Sequence, residues 1–112
     1  MTTPSERGRD LQTNQPGAPE AGRPRFPLGA LYATPGAIRE CDRAKVTPID
    51  YIQRHQIGDW GDLDADDKRA NEDALARGSR MFSAYNLPTD ARLWVITEAD
   101  RSVTTALLPE EY

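Results

Sequence analysis

Between His55 and Asp73 the chain gathers its only histidine, one of its two tryptophans, two glycines and seven carboxylates (Asp59, Asp62, Asp64, Asp66, Asp67, Glu72 and Asp73). Three chemistries use such residues. The first is general acid–base catalysis, in which His55 titrates in the useful range and Asp59, four residues on across Gly58, orients its ring. A lone histidine near a helix C-terminus more often serves as a capping or dipole-compensating group, and that reading is preferred. The second is calcium binding. Asp62, Asp64 and Asp66 match the first ligand positions of a D-x-D-x-D loop, and Asp73 falls at the twelfth. However, Asp67 stands where that loop needs glycine, and Arg69 where an apolar residue packs. The acids are explained as a helix N-cap and first turn, so no metal and no cofactor are expected.

The third chemistry is recognition. Trp60, flanked by Gly58 and Gly61, could stand on a turn as a binding hot spot. It could equally plug the core where two helices meet, and this avoids exposing an indole. No catalytic residue is assigned. The expected binding segment is His55, Gly58, Asp59, Trp60, Gly61 and Asp62. The turn Glu98-Ala99-Asp100-Arg101 reads as ordinary solvated structure. Cys41 cannot form an internal disulfide and is expected to be a small buried core side chain.

These residues need elements to hold them. Thr34-Pro35 and Thr47-Pro48 each place a threonine at N-cap and a proline at the first helical position, where its missing N–H costs nothing. The first helix is expected from Pro35 to about Lys45, with Ile38 and Cys41 inward and Ala37 and Ala44 as further candidates. The second is expected from Pro48 to about Gln56, stopping at Gly58, with Ile49, Ile52 and part of Tyr51 inward. A third, capped by Asp64, should end at Gly78 with Arg77 in its last turn. Leu31-Tyr32-Ala33 reads as a short extended lead-in.

Beyond Gly78 the pattern shifts to period two. Residues 80–87, 92–98 and 102–108 are rich in aromatic and β-branched side chains and are separated by turns. Phe82, Ala84, Trp94, Ile96, Val103 and Leu107 are candidates for the buried face, register deciding which alternate set points inward. The expected fold class is α+β: two or three short helices followed by a three-stranded antiparallel β-meander.

Residues 1–28 hold five prolines but only two large aliphatic side chains, Leu11 and Leu28, so a disordered tail is expected there and a single small domain over 29–112. The tail carries four arginines against three acids. The remainder has ten basic and fifteen acidic residues, and residues 59–73 alone carry seven acids against Lys68 and Arg69. A phosphate-binding surface needs clustered positive charge, so nucleic acid is disfavoured as a partner. Neither a secretory signal nor a run of about 20 apolar residues is present, which excludes a membrane partner and predicts a cytoplasmic protein.

Several strings then resemble a family of small bacterial proteins found on plasmids, integrative elements and chromosomes. They are Tyr32-Ala33-Thr34-Pro35-Gly36-Ala37, His55-Gln56 with Gly58-Asp59-Trp60-Gly61-Asp62-Leu63, Phe82-Ser83-Ala84-Tyr85, residues 93–105 and residues 107–112. Members are labelled "plasmid-related protein" or type I restriction subunit. The latter label does not fit a chain so short and without a methyltransferase cofactor motif. The resemblance implies a mobile-element setting and carries no catalytic residues with it. The function expected is a small non-enzymatic module that binds another protein, linked to mobile elements or to host-defence interference. One alternative is an endoribonuclease toxin of the RelE type, with Arg80, Arg92 and Arg101 on or near the sheet. Another is an acidic anti-restriction protein. A homodimer through an exposed edge of the meander is a further expectation.

Overall fold

Each threonine–proline pair starts a helix as its chemistry requires. In the structure, a computed structural model that describes residues 22–112, helix α1 spans Pro35–Ala44 and α2 spans Pro48–Gln56. Thr34 Oγ1 accepts from the Ala37 N–H at 3.1 Å, and Thr47 Oγ1 from that of Asp50 at 3.4 Å. Helix α3 covers Ala65–Arg77, with Asp64 accepting from the Asp67 N–H at 2.8 Å. The acids at 64, 66 and 67 are thus the cap and first turn of α3, where the helix dipole favours negative charge.

Four strands follow the chain order β1 (Ala30–Ala33), β2 (Met81–Asn86), β3 (Arg92–Thr97) and β4 (Val103–Leu107). They form one sheet in the order β1-β4-β3-β2. The class is α+β, but the expected three-stranded meander is only its antiparallel part. The lead-in at 31–33 belongs to β1, which pairs parallel to β4 with Tyr32 opposite Thr105. A four-residue segment is too short to display a period of its own, and its partner lies some seventy residues downstream.

Of the strand residues expected to be buried, Ala84, Ile96 and Leu107 are so, whereas Phe82, Trp94 and Val103 are only half-buried and the helices cover the opposite set. Met81, Ser83 and Tyr85 of β2, Leu93, Val95 and Thr97 of β3, and Thr104 and Ala106 of β4 share the helix-bearing face. Ala37, Cys41 and Ala44 of α1 and Tyr51 and Ile52 of α2 pack on it. Phe82, Ala84, Trp94, Ile96, Thr105 and Leu107 occupy the other face, on which no α-helix of the described residues packs. Both alternate sets are apolar enough to be core, so composition did not separate them. On the helices, Ala37, Cys41 and Ala44 point inward as expected, whereas Ile38 and Ile49 are exposed. Close helix–sheet packing selects the small side chains of α1.

Of the tail expected over residues 1–28, residues 1–21 lie outside the described residues. Residues 22–28 do not behave as a tail: Phe26 is buried with Trp60, Ala74 and Met81 in a second small core. Among the described residues no helix is long and apolar enough to cross a membrane.

Candidate functional site

The segment from His55 to Asp62 leaves the end of α2, turns twice, and runs alongside β2. His55, on the last turn of α2, is fully buried on the helix-bearing sheet face. Its Nδ1 lies 2.6 Å from Ser83 Oγ and its Nε2 lies 2.9 Å from Thr97 Oγ1. Thr97 Oγ1 is in turn 2.7 Å from Thr104 Oγ1, which donates to the Leu28 carbonyl at 2.8 Å.

The proton count along this chain decides the tautomer. A hydroxyl has one proton to give. Thr104 gives its proton to Leu28, so Thr97 must donate to Thr104, and Thr97 can then only accept from His55. The imidazole therefore carries its proton on Nε2, and Nδ1 accepts from Ser83. This network is complete with a neutral ring. Burial, with the Arg101 guanidinium nearby, lowers the His55 pKa from 6.5 to about 4. Phe26 and Trp60 close the ring in edge-on, with centroids 5.2 and 5.8 Å away.

Trp60 is a core plug, 4% exposed, and its indole N–H donates to Glu72 Oε2 at 3.0 Å. Glu72 also receives both terminal nitrogens of Arg25 at 2.9 Å. Asp59 bonds Arg54 Nε at 2.7 Å and accepts from the Gly61 N–H at 3.1 Å. Burial disfavours the Asp59 anion, but these bonds outweigh it and hold its carboxyl below the usual range. The Asp59 carbonyl accepts from Tyr85 Oη at 2.5 Å. Gly58 and Gly61 supply left-handed turns at φ +88° and +79°. A Cβ at Gly61 would collide with the Ala84 carbonyl oxygen, so only glycine lets the loop approach the strand this closely.

The approach has a purpose for the sheet. The Asp62 N–H donates to the Ala84 carbonyl at 2.6 Å, and the Ala84 N–H reaches the Trp60 carbonyl at 3.4 Å. Asp62 Oδ2 accepts from the Asn86 N–H at 2.8 Å. From α3, the Asn71 amide pairs with both the N–H and the C=O of Phe82, at 3.1 and 2.6 Å. Each backbone group that β2 turns outward at Phe82 and Ala84 is thereby paired. The six residues singled out from the sequence do come together, but their side chains and backbone are engaged with the rest of the fold.

The other candidates also find partners. Asp62, Asp64, Asp66 and Asp73 do not converge, and among the described residues no group of three or more such ligands is placed to hold a metal ion. Cys41 is fully buried, and burial, together with Asp42 and Glu40, raises its thiol pKa. Arg101 is less a turn charge than a clasp. It donates to the carbonyls of Ser79, Glu98, Ala99 and Ala74 and lies 5.7 Å over the Phe26 ring. Arg80 pairs with Glu98, and Arg92 donates to the Asp62 carbonyl.

Sequence reasoning missed Ser83, Thr97 and Thr104, which complete the His55 network, and Phe26, Asn71 and Glu72, which close the loop. The one usable signal was Phe26, the only aromatic residue in the first 28. The helix-free sheet face carries a second feature. Phe82 and Trp94 pack edge to face at 5.0 Å, Trp94 meets Tyr112 at 5.7 Å, and Arg80 lies 5.2 Å over the Tyr112 ring. Tyr32 and Tyr112 are 62% and 68% exposed. Compared with family models, curated proteins and solved structures, the chain matches none.

Proposed function

We propose that this chain is a small non-enzymatic module that binds another protein through the helix-free face of its sheet. The observation that carries the reading is a run of aromatic rings, half-buried at Phe82 and Trp94 and exposed at Tyr112 and Tyr32, on the sheet face that no α-helix of the described residues covers. Exposed aromatic surface of this kind supports association. The charges beside it are balanced, since Arg80 is offset by Glu98. That favours an apolar, uncharged protein surface over a phosphate backbone as the occupant. The neutral, enclosed His55 supports a binding role for the protein over acid–base chemistry at the loop.

The ribonuclease-toxin alternative draws less support, because Arg80, Arg92 and Arg101 are each engaged within the fold. A mobile-element or host-defence setting remains part of the proposal, on the sequence resemblance alone. The reading is tested by affinity capture after crosslinking in the native host. The wild type is compared with a Tyr112→Ser, Thr105→Lys double variant, which places a charge in the middle of the face. Loss of specific partners from the variant, with its circular dichroism unchanged, is the expected result. Retention of every partner overturns the assignment to this face.

A further inference from the structure

The two edges of the sheet are finished in opposite ways. Edge β2 is closed at Phe82 by Asn71, at Ala84 by Trp60 and Asp62, and at Asn86 by Asp62. Edge β1 has no such cover among the described residues. Ala30 and Thr34 donate to the β4 side, to the carbonyls of Ser102 and Ala106. The intervening Leu31 and Ala33 therefore turn their N–H and C=O groups outward. Among the described residues these groups have no hydrogen-bond partner. The strand Ala-Leu-Tyr-Ala also lacks the charge, proline or bulge with which edges are normally guarded. Leu31 is 44% exposed and Tyr32 still more so.

We propose that a second copy of this chain pairs antiparallel with β1 about a two-fold axis at Tyr32, joining the two sheets into one. Four observations select this occupant. In the register centred on Tyr32, Leu31 of each copy lies opposite Ala33 of the other. The outward groups of both residues then pair on both copies. Tyr32 meets its own counterpart as a non-hydrogen-bonded pair, where cross-strand side chains approach most closely and aromatic pairs are favourable. The strand carries no charge, so nothing repels across the axis despite the chain's net −4, and nothing selects a foreign strand by charge. Finally, the far edge of each copy is the covered β2. The joined sheet ends on closed edges at both sides, so association stops at two copies and does not propagate.

Sedimentation equilibrium of the full chain from micromolar to millimolar concentration tests this. The expected mass rises with concentration from 12.5 kDa toward twice that value. Leu31→Pro removes an outward N–H while leaving the Ala30 and Thr34 bonds to the β4 side in place. Tyr32→Lys sets two cations face to face on the axis and keeps the backbone intact. Each is expected to weaken self-association by about tenfold or more. If Leu31→Pro loses the native circular dichroism spectrum, Tyr32→Lys alone decides. Tyr112→Ser, which lies two strands away from β1 against Trp94, is expected to associate like wild type. A mass fixed at 12.5 kDa throughout overturns the proposal. So does wild-type association in the β1 variants, or its loss in the Tyr112 variant, which moves the interface to the sheet face.

Discussion

A buried imidazole can hold one proton or two, and the hydroxyls around His55 accommodate one. Ser83 donates to Nδ1, and Thr97 has given its own proton to Thr104. A second proton on the ring would sit at Nδ1, facing the Ser83 hydroxyl, and would bring an uncompensated charge into the core. The pKa is therefore depressed, to about 4. Between about pH 4 and 6.5 the unfolded chain binds a proton that the folded chain refuses, so stability rises with pH across that window. His55's share of stability is fully present above pH 6.5 and is lost as pH falls toward 4. The shift corresponds to a loss on the order of 3 kcal/mol. Urea denaturation at a series of pH values is expected to show this slope in the wild type. In His55→Gln, whose amide can both accept and donate, the slope above about pH 4.5 should vanish. The residual dependence should lie lower, where Asp59 and Glu72 protonate. An unchanged slope in that variant would remove His55 as its source.

At the scale of elements, the loop after α2 and the middle of α3 act together as a false fifth strand beside β2. An open strand edge is a template for pairing with other chains, and loops, side-chain amides and charges are ways to cover it. Asn71 carries the clearest part of this cover, because its single amide satisfies two backbone groups. Asn71→Ala is expected to destabilise the fold by about 1–3 kcal/mol, the cost of leaving such groups unpaired. It should also raise the rate of aggregation seen by light scattering under mild heating. A variant that lost stability but aggregated no faster would separate packing from edge protection. The helices themselves were legible in the chain, since Thr34-Pro35, Thr47-Pro48 and Asp64 state their starts through local chemistry that needs no distant partner. The cover of β2 was not legible. It joins residues 60–62 and 71 to 82–86 through backbone hydrogen bonds, which leave little mark on side-chain choice.

At the scale of the molecule, residues 22–28 form a strap across the ends of α2, α3 and the sheet. The Arg25 N–H donates to the Gln56 carbonyl at 2.8 Å, and Gln56 Nε2 returns a bond to the Phe26 carbonyl at 3.0 Å. The Leu28 carbonyl is the last acceptor in the His55 network. The strap thus closes one core and terminates the polar chain of the other. If Phe26 were a tail residue, Phe26→Ala would change stability by no more than about 0.5 kcal/mol. As a buried core ring it is expected to cost about 3–5 kcal/mol, read from the denaturant midpoint. A neutral outcome would return residues 22–28 to the tail.

The sequence by itself determined what depends on neighbours in the chain: three helix starts, the positions of the turns, a period-two C-terminal half and an acidic patch at the start of α3. The glycine turns at 58 and 61, which shape its candidate segment from His55 to Asp62, are likewise local commitments. Tertiary structure alone decided what those residues do. Whether Trp60 is an anchor or a plug depends on Phe26, Glu72 and Met81, none of them near it in sequence. Which strand face carries the helices depends on where they dock, and both faces are apolar enough to accept them. The role of β1 rests on a pairing some seventy residues away. Burial and strand pairing are properties of the whole packed chain, so at these positions composition and spacing left two answers open and the packing chose one.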